Sequence, residues 1–132
     1  MSTTHSEPAS VGRLASTSID CADPAELADF YARLLGMRRL FESPDGGVVA
    51  ITDGVNTLTM MRVDDHVAPA WPEPGQRQQM HLDVAVTDLD DAVARAIGLG
   101  AREADHQAVP SMWRVLLDPA GHPFCVTTAT AG

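Results

Sequence analysis

The chain has no lysine: all nine of its basic residues are arginine. That excludes Schiff-base chemistry, a cofactor aldimine on lysine and the Walker-type phosphate lysine. Basic residues are scarce as well, 9 Lys+Arg against 18 Asp+Glu, for a net charge of -9. A chain with a pI near 4.7 is poorly made to neutralise a row of phosphates or to dock on an anionic membrane, so nucleic acid and membrane are not expected partners. Only two cysteines occur, Cys21 and Cys125. They are too few for a disulfide scaffold and are expected to be reduced. No apolar run approaches about 18 residues and no charged-then-apolar leader opens the sequence, which leads to the expectation of a cytoplasmic protein. What remains is 132 residues, 45% hydrophobic and 20% charged, enough for a packed core.

Residues 1–10 are polar and read as a tail. From Ser16 to Cys21 polar and apolar residues alternate, as in a half-buried strand. Asp23 then offers an N-cap, Pro24 suits the first helical position, and Leu27, Phe30, Tyr31, Leu34 and Leu35 form a helical stripe that Gly36 ends. Three strand-like runs follow, 38–42, 48–52 and 57–63, separated by Ser43-Pro-Asp-Gly-Gly47 and Asp53-Gly-Val-Asn56 turns.

The same order then recurs. Residues 79–86 alternate like the first strand, and Asp88 is a second N-cap. Leu89, Ala92, Val93, Ala96 and Ile97 form a second stripe, closed by Gly98 and Gly100. Strand-like runs at 101–105, 112–117 and 124–128 complete the pattern, with the turn Asp118-Pro-Ala-Gly121 before the last. Asp23 maps to Asp88 and Gly36-Met-Arg38 to Gly100-Ala-Arg102, an offset of about 65 residues, half the chain. Two tandem βαβββ units explain this best. The expected division is a tail at 1–10, a first module at 11–63, a linker at 64–78 that holds Trp71, a second module at 79–128 and a tail at 129–132.

Three segments carry a family resemblance: Ile19-Asp-Cys-Ala-Asp-Pro-Ala-Glu-Leu-Ala-Asp-Phe-Tyr31 with Leu35-Gly36, Met80-His-Leu-Asp-Val-Ala-Val-Thr-Asp88, and Leu117-Asp-Pro-Ala-Gly-His-Pro-Phe-Cys125. In this order, on a doubled βαβββ frame, they resemble the vicinal oxygen chelate superfamily of glyoxalases, bleomycin-resistance proteins and extradiol dioxygenases, in its glyoxalase-like branch. The resemblance implies an α+β fold in which two half-barrel sheets enclose a cup, and it implies dimers. The family's metal ligands stand early in the first strand and in the last strand of each unit, positions that fall here on Ser16, Thr59, His81 and Cys125. The common pattern is His or Gln early and Glu late; only His81 fits it.

The strand period of two assigns the cup face independently of the family. Ser16, Ser18 and Asp20 point inward in the first strand, Thr57, Thr59 and Met61 in the fourth, His81, Asp83 and Ala85 in the fifth, and Cys125 and Thr127 in the last. Trp113 and Arg114 are strand neighbours, so one faces in and the other out. The candidate ligand-binding set is Ser16, Ser18, Asp20, Thr59, Met61, His81, Asp83, Trp113 and Cys125, with His81 as candidate catalytic base. Each has a plainer reading: His81 as a hydrogen-bonded barrel histidine, Cys125 as a small buried hydrophobe. Asp118-Pro-Ala-Gly121 reads as a turn and His122 as solvent-facing, while His5, His66 and His106 join no constellation. Asp88, Asp90 and Asp91 read as helix N-terminal charge that needs no partner.

Two classes of function follow. One is a small-molecule-binding cup that works without the family's usual metal, including the antibiotic-sequestering form of the bleomycin-resistance branch. The other is a metal-dependent lyase, isomerase or dioxygenase-type enzyme. No cofactor is expected, because His81 and Cys125 give two good ligands and a stable zinc or iron site wants three. If a divalent metal is held, His81, Asp83 and Cys125 hold it. Open sheet edges and apolar rims point to a homodimer.

Overall fold

The computed structural model describes residues 14–68 and 81–128. The expected tails, most of the linker, His5, Trp71 and Met80 lie outside the described residues. The order is β1 (Thr17–Cys21), α1 (Pro24–Leu35), β2 (Arg38–Glu42), β3 (Val48–Thr52), β4 (Thr57–Arg62), β5 (Leu82–Ala85), α2 (Leu89–Leu99), β6 (Arg102–Glu103), β7 (Trp113–Leu117) and β8 (Pro123–Thr127). The strands form two sheets of like order, β1-β4-β3-β2 and β5-β8-β7-β6, each with one parallel pair beside antiparallel ones. The fold is therefore α+β, built of two tandem βαβββ modules.

The same local chemistry starts both helices. The Asp23 carboxylate accepts the Glu26 N–H at 3.2 Å, and Asp88 accepts the Asp91 N–H at 2.9 Å. Each satisfies a donor that the first helical turn leaves without a partner. Gly36, at φ 69°, ends α1 in the left-handed region that favours glycine. Gly100 does the same for α2, whereas Gly98 lies inside that helix rather than ending it.

Both helices cover one face of their own sheet. Leu27, Phe30 and Tyr31 of α1 and Val93 and Ala96 of α2 share one core with Ile51, Met60, Leu116 and Phe124. Edge-on contacts among Phe30, Tyr31 and Phe124 carry that core across the module boundary. Among the described residues, the opposite face of each sheet carries no helix. β5 shows the result: Asp83 and Ala85 are exposed while Leu82 and Val84 are half-buried.

Several strands are shorter than their sequence pattern: β1 begins at Thr17 rather than Ser16, β4 ends at Arg62 rather than Val63, β5 ends at Ala85 rather than Val86, and β7 begins at Trp113 rather than Met112. β6 shrinks to Arg102–Glu103 because Gln107 takes the next ladder positions with its side chain. Its amide donates to the Ala104 and Val115 carbonyls at 3.0 and 2.9 Å and accepts the Val115 N–H at 2.9 Å.

Candidate functional site

Register places the candidate residues on the helix-free faces. On the first sheet Ser18 pairs with Thr59 and Asp20 with Met61. The Ser16 and Thr59 hydroxyls share a hydrogen bond of 2.6 Å. Ser18, Asp20 and Met61 are exposed on the same face.

On the second sheet Asp83 pairs with Cys125, and Cys125 pairs with Val115. His81 stands just ahead of β5, and its Nε2 lies 3.0 Å from Asp83 Oδ1. One ligand atom each from His81, Asp83 and Cys125 falls within 4.8 Å of the others. His81 and Asp83 are open to solvent, whereas Cys125 is buried against Ala104, Val115 and Trp113. Burial, and then the Asp83 carboxylate, push the Cys125 thiol from 9.0 up to about 11. At neutral pH the free side chain is thus a thiol and a weak nucleophile.

The Trp113–Arg114 pair is resolved by what each touches. Trp113 packs beside Cys125 on the helix-free face. Arg114 turns to the other side, where it meets Asp90 at 2.6 Å and Glu103 at 3.3 Å. Asp90 therefore does take a partner, contrary to its reading as helix-terminal charge alone. Asp88 keeps its capping role.

The candidates thus fall into two groups, Ser16 with Thr59 on the first module and His81, Asp83 and Cys125 on the second. A cavity of about 320 Å³ lies between the facing edge strands, and Ser16 and Asp83 both line it. Its other walls include Leu35, Met37, Val55 and Leu82.

Four residues to which the sequence assigns no site role bind the modules together. Asp118 does occupy a turn, but it is 4% exposed. Its Oδ1 accepts the Ala120 and His122 N–H groups, and its Oδ2 accepts the Tyr31 hydroxyl at 2.6 Å. Burial, followed by the nearby Asp118 charge, raises the Tyr31 phenol well above its usual range. His122 does not face solvent freely: its Nε2 lies 2.6 Å from the Asp20 carbonyl oxygen. His66 joins it, with ring centroids 5.4 Å apart and its own Nε2 2.9 Å from the Ala120 carbonyl. The apolar stripe on α1 announces a buried Tyr31, and a buried phenol needs a partner; that was the available signal for Asp118. No local pattern marks His66.

Comparison with known proteins agrees with this architecture. No curated protein matches the chain significantly. Among solved structures, fosfomycin resistance protein FosX from Mesorhizobium loti is 16% identical, with a TM-score of 0.65 over 92% of this chain and 95% of that one. A point mutant of FosX from Listeria monocytogenes, complexed with Mn(II) and 1S,2S-dihydroxypropylphosphonic acid, is 12% identical, with a TM-score of 0.66 over 92% and 94%. Lactoylglutathione lyase from Agrobacterium tumefaciens is 20% identical, with a TM-score of 0.58 over 86% and 91%. At such identities the likeness is one of fold. The family model for the glyoxalase-like domain matches residues 16–127, which span both modules, so this chain belongs to the glyoxalase-like domain family.

Proposed function

We propose that this chain binds a small molecule on the helix-free face of its second sheet and does so without a manganese-type centre. The observation that carries the reading is the grouping of His81, Asp83 and Cys125 beside Trp113 and Val115. This puts hydrogen-bonding groups at the edge of an apolar floor, the usual make-up of a ligand site. The Mn(II) of the Listeria relative is a hard ion that prefers carboxylate, carbonyl and water oxygens. The second-sheet group offers one carboxylate, Asp83, and the neutral Ser16 and Thr59 hydroxyls are hydrogen-bonded to each other. A charge of -9 and a stacking surface at Trp113 favour cationic or polyhydroxylated ligands over phosphonates, in keeping with sequestration.

The test is a thermal-shift screen of small polar, cationic and anionic molecules on chelator-treated protein, repeated with His81→Ala. Ligands that raise the melting temperature of the wild type and lose at least tenfold affinity in the variant are expected. Ligands bound equally by both proteins would refute the site.

A catalytic version is favoured by one contact. Asp83 at 3.0 Å from His81 Nε2 can orient the imidazole as a general base, leaving the other ring nitrogen for substrate. We also propose a cytoplasmic homodimer. Its support is the fully exposed edge strand β2 with Leu40 and Phe41 at 59% and 55% exposure, and two free cysteines. Light scattering is expected to give twice the 14.0 kDa chain mass, and a monomer at micromolar concentration would refute the assembly.

A further inference from the structure

We propose that the cavity between the edges of β1 and β5 is a second binding site, which takes a small aliphatic amine as its ammonium ion. The site is separate from the cup face of the second sheet, since Trp113, Val115 and Cys125 do not line it. Placement, wall, charge and hydrogen bonding all point to this ligand class.

β1 and β5 each stand at the end of their sheet, so the outward edge of each has no ladder partner among the described strands. A space of about 320 Å³ lies between them, within the range of small-molecule pockets. Its inner wall is the margin of the core: Leu58 belongs to the buried cluster, and Leu35, Met37, Leu82 and Val84 pack against it. Leu14 and Val55 line the same cavity and are 89% and 88% exposed. An alkyl chain laid between wall and rim takes apolar surface on both sides out of water. A bare inorganic cation would leave that surface wet.

The charged residues that line the cavity are Asp53 and Asp83, and among the described residues no basic side chain joins them. Neither carboxylate is paired with an arginine among the described residues. The Asn56 and Val55 N–H groups hold the Asp53 carboxyl below its usual range, so it is ionised at neutral pH. Asp83 keeps one oxygen on His81. An anionic ligand would meet two carboxylates and no compensating base, whereas a cation is complementary to both. An ammonium group has three donors and no acceptor. The carboxylates and the outward carbonyls of the two free edges are matching acceptors.

The probe is n-hexylammonium chloride, titrated calorimetrically into the full chain, with 1-hexanol and sodium hexanoate as the neutral and anionic counterparts. Hexylammonium is expected to saturate at one equivalent, hexanol to bind about tenfold more weakly or worse, and hexanoate not to bind. Asp53→Asn keeps an oxygen for the Val55 and Asn56 N–H groups while removing the charge. Val55→Arg sets a cation at an exposed rim position. Both variants are therefore expected to fold, which their melting temperatures check. Asp53→Asn and Asp83→Asn should each weaken hexylammonium about threefold, and together about tenfold. Val55→Arg should weaken it by a similar factor, while Cys125→Ser and Trp113→Ala should leave it within about twofold. Hexanoate binding as tightly as the amine, or undiminished amine binding in the double aspartate variant, would overturn the site. A loss in Cys125→Ser or Trp113→Ala as large as that in Asp53→Asn would place the amine in the cup and overturn it as well. If other ligands bind through His81 but hexylammonium does not bind, the cavity site falls and the cup stands. Hexylammonium binding that depends on Asp53 and Val55, with no ligand lost in His81→Ala, upholds the cavity site and refutes the cup.

Discussion

The hydrogen bond from Tyr31 to Asp118 joins α1 of the first module to the β7–β8 turn of the second, across 87 residues of chain. Tyr31→Phe keeps the ring, and with it the contacts to Phe30 and Phe124, and removes only the hydroxyl. Asp118 then keeps its two backbone donors on Oδ1 and loses the donor on Oδ2. A hydrogen bond to a charged group contributes about 1.5–3 kcal/mol, and the carboxylate left behind is almost fully buried. A loss of about 2 kcal/mol is expected, which lowers the melting temperature by roughly 6–10 °C for a chain of this length. Urea denaturation should show an unchanged slope and a lower midpoint. A cycle with Asp118→Asn and the double variant should give a coupling above about 1 kcal/mol. The pH dependence supplies an independent check. The folded protein holds the phenolic proton to a higher pH than the unfolded chain, whose tyrosine titrates near 10. The stability that Tyr31 contributes is therefore fully present below about pH 10 and declines as pH rises beyond it, since only the unfolded state releases the proton. Wild type should lose more stability than Tyr31→Phe between about pH 9 and pH 11. A loss below about 0.5 kcal/mol with parallel alkaline profiles would refute the reasoning.

Gly121 has φ 88°, and a Cβ there would collide with the Ala68 Cβ, whereas Gly54, at φ 93°, has open space around it. Gly121→Ala should therefore lower the urea midpoint clearly more than Gly54→Ala, whose strain alone amounts to about 1 kcal/mol; equal effects would dismiss the Ala68 contact. Asp23→Ala and Asp88→Ala should each destabilise by about 1 kcal/mol and add in the double variant, because the two caps share no partner; calorimetry of the three variants checks this. Cys21 is 1% exposed, and burial, reinforced by Asp23, Asp118 and Asp20, lifts its thiol to about 11. In Cys125→Ser it should resist alkylation at about pH 8 until urea unfolds the chain; prompt native-state labelling would show that the site opens.

Much of the fold was legible because each module states its elements locally. An aspartate cap, an apolar stripe and a terminal glycine mark both helices: α1 runs from Pro24 to Leu35 as its cap and Gly36 predict, and α2 runs from Leu89 past Gly98 to Leu99, where Gly100 ends it. Alternation likewise assigns faces: Ser18, Asp20, Thr59, Met61, Asp83 and Cys125 fall opposite the helices because period two leaves no other choice once Ile19, Met60, Val84 and Val126 join the core. What alternation cannot supply is any relation between strands. That Asp83 stands directly beside Cys125 is a fact of parallel register across 42 residues of chain. The same limit hid Gln107, whose side-chain amide replaces ladder bonds that a backbone pattern would assign to strand. It also hid the seam at Asp118, His122 and His66, where turn and loop residues reach for carbonyls and a phenol in the other half of the chain. A duplicated module therefore reveals its internal architecture twice in the sequence, but its two copies meet through residues that the repeat does not share. Tyr31 shows the asymmetry: its counterpart 65 positions on is Ala96, which has no hydroxyl to offer and is buried simply as core. The contacts that distinguish this chain from a generic pair of modules lie in those unrepeated residues, and their energetics are what the Tyr31 and Gly121 variants measure.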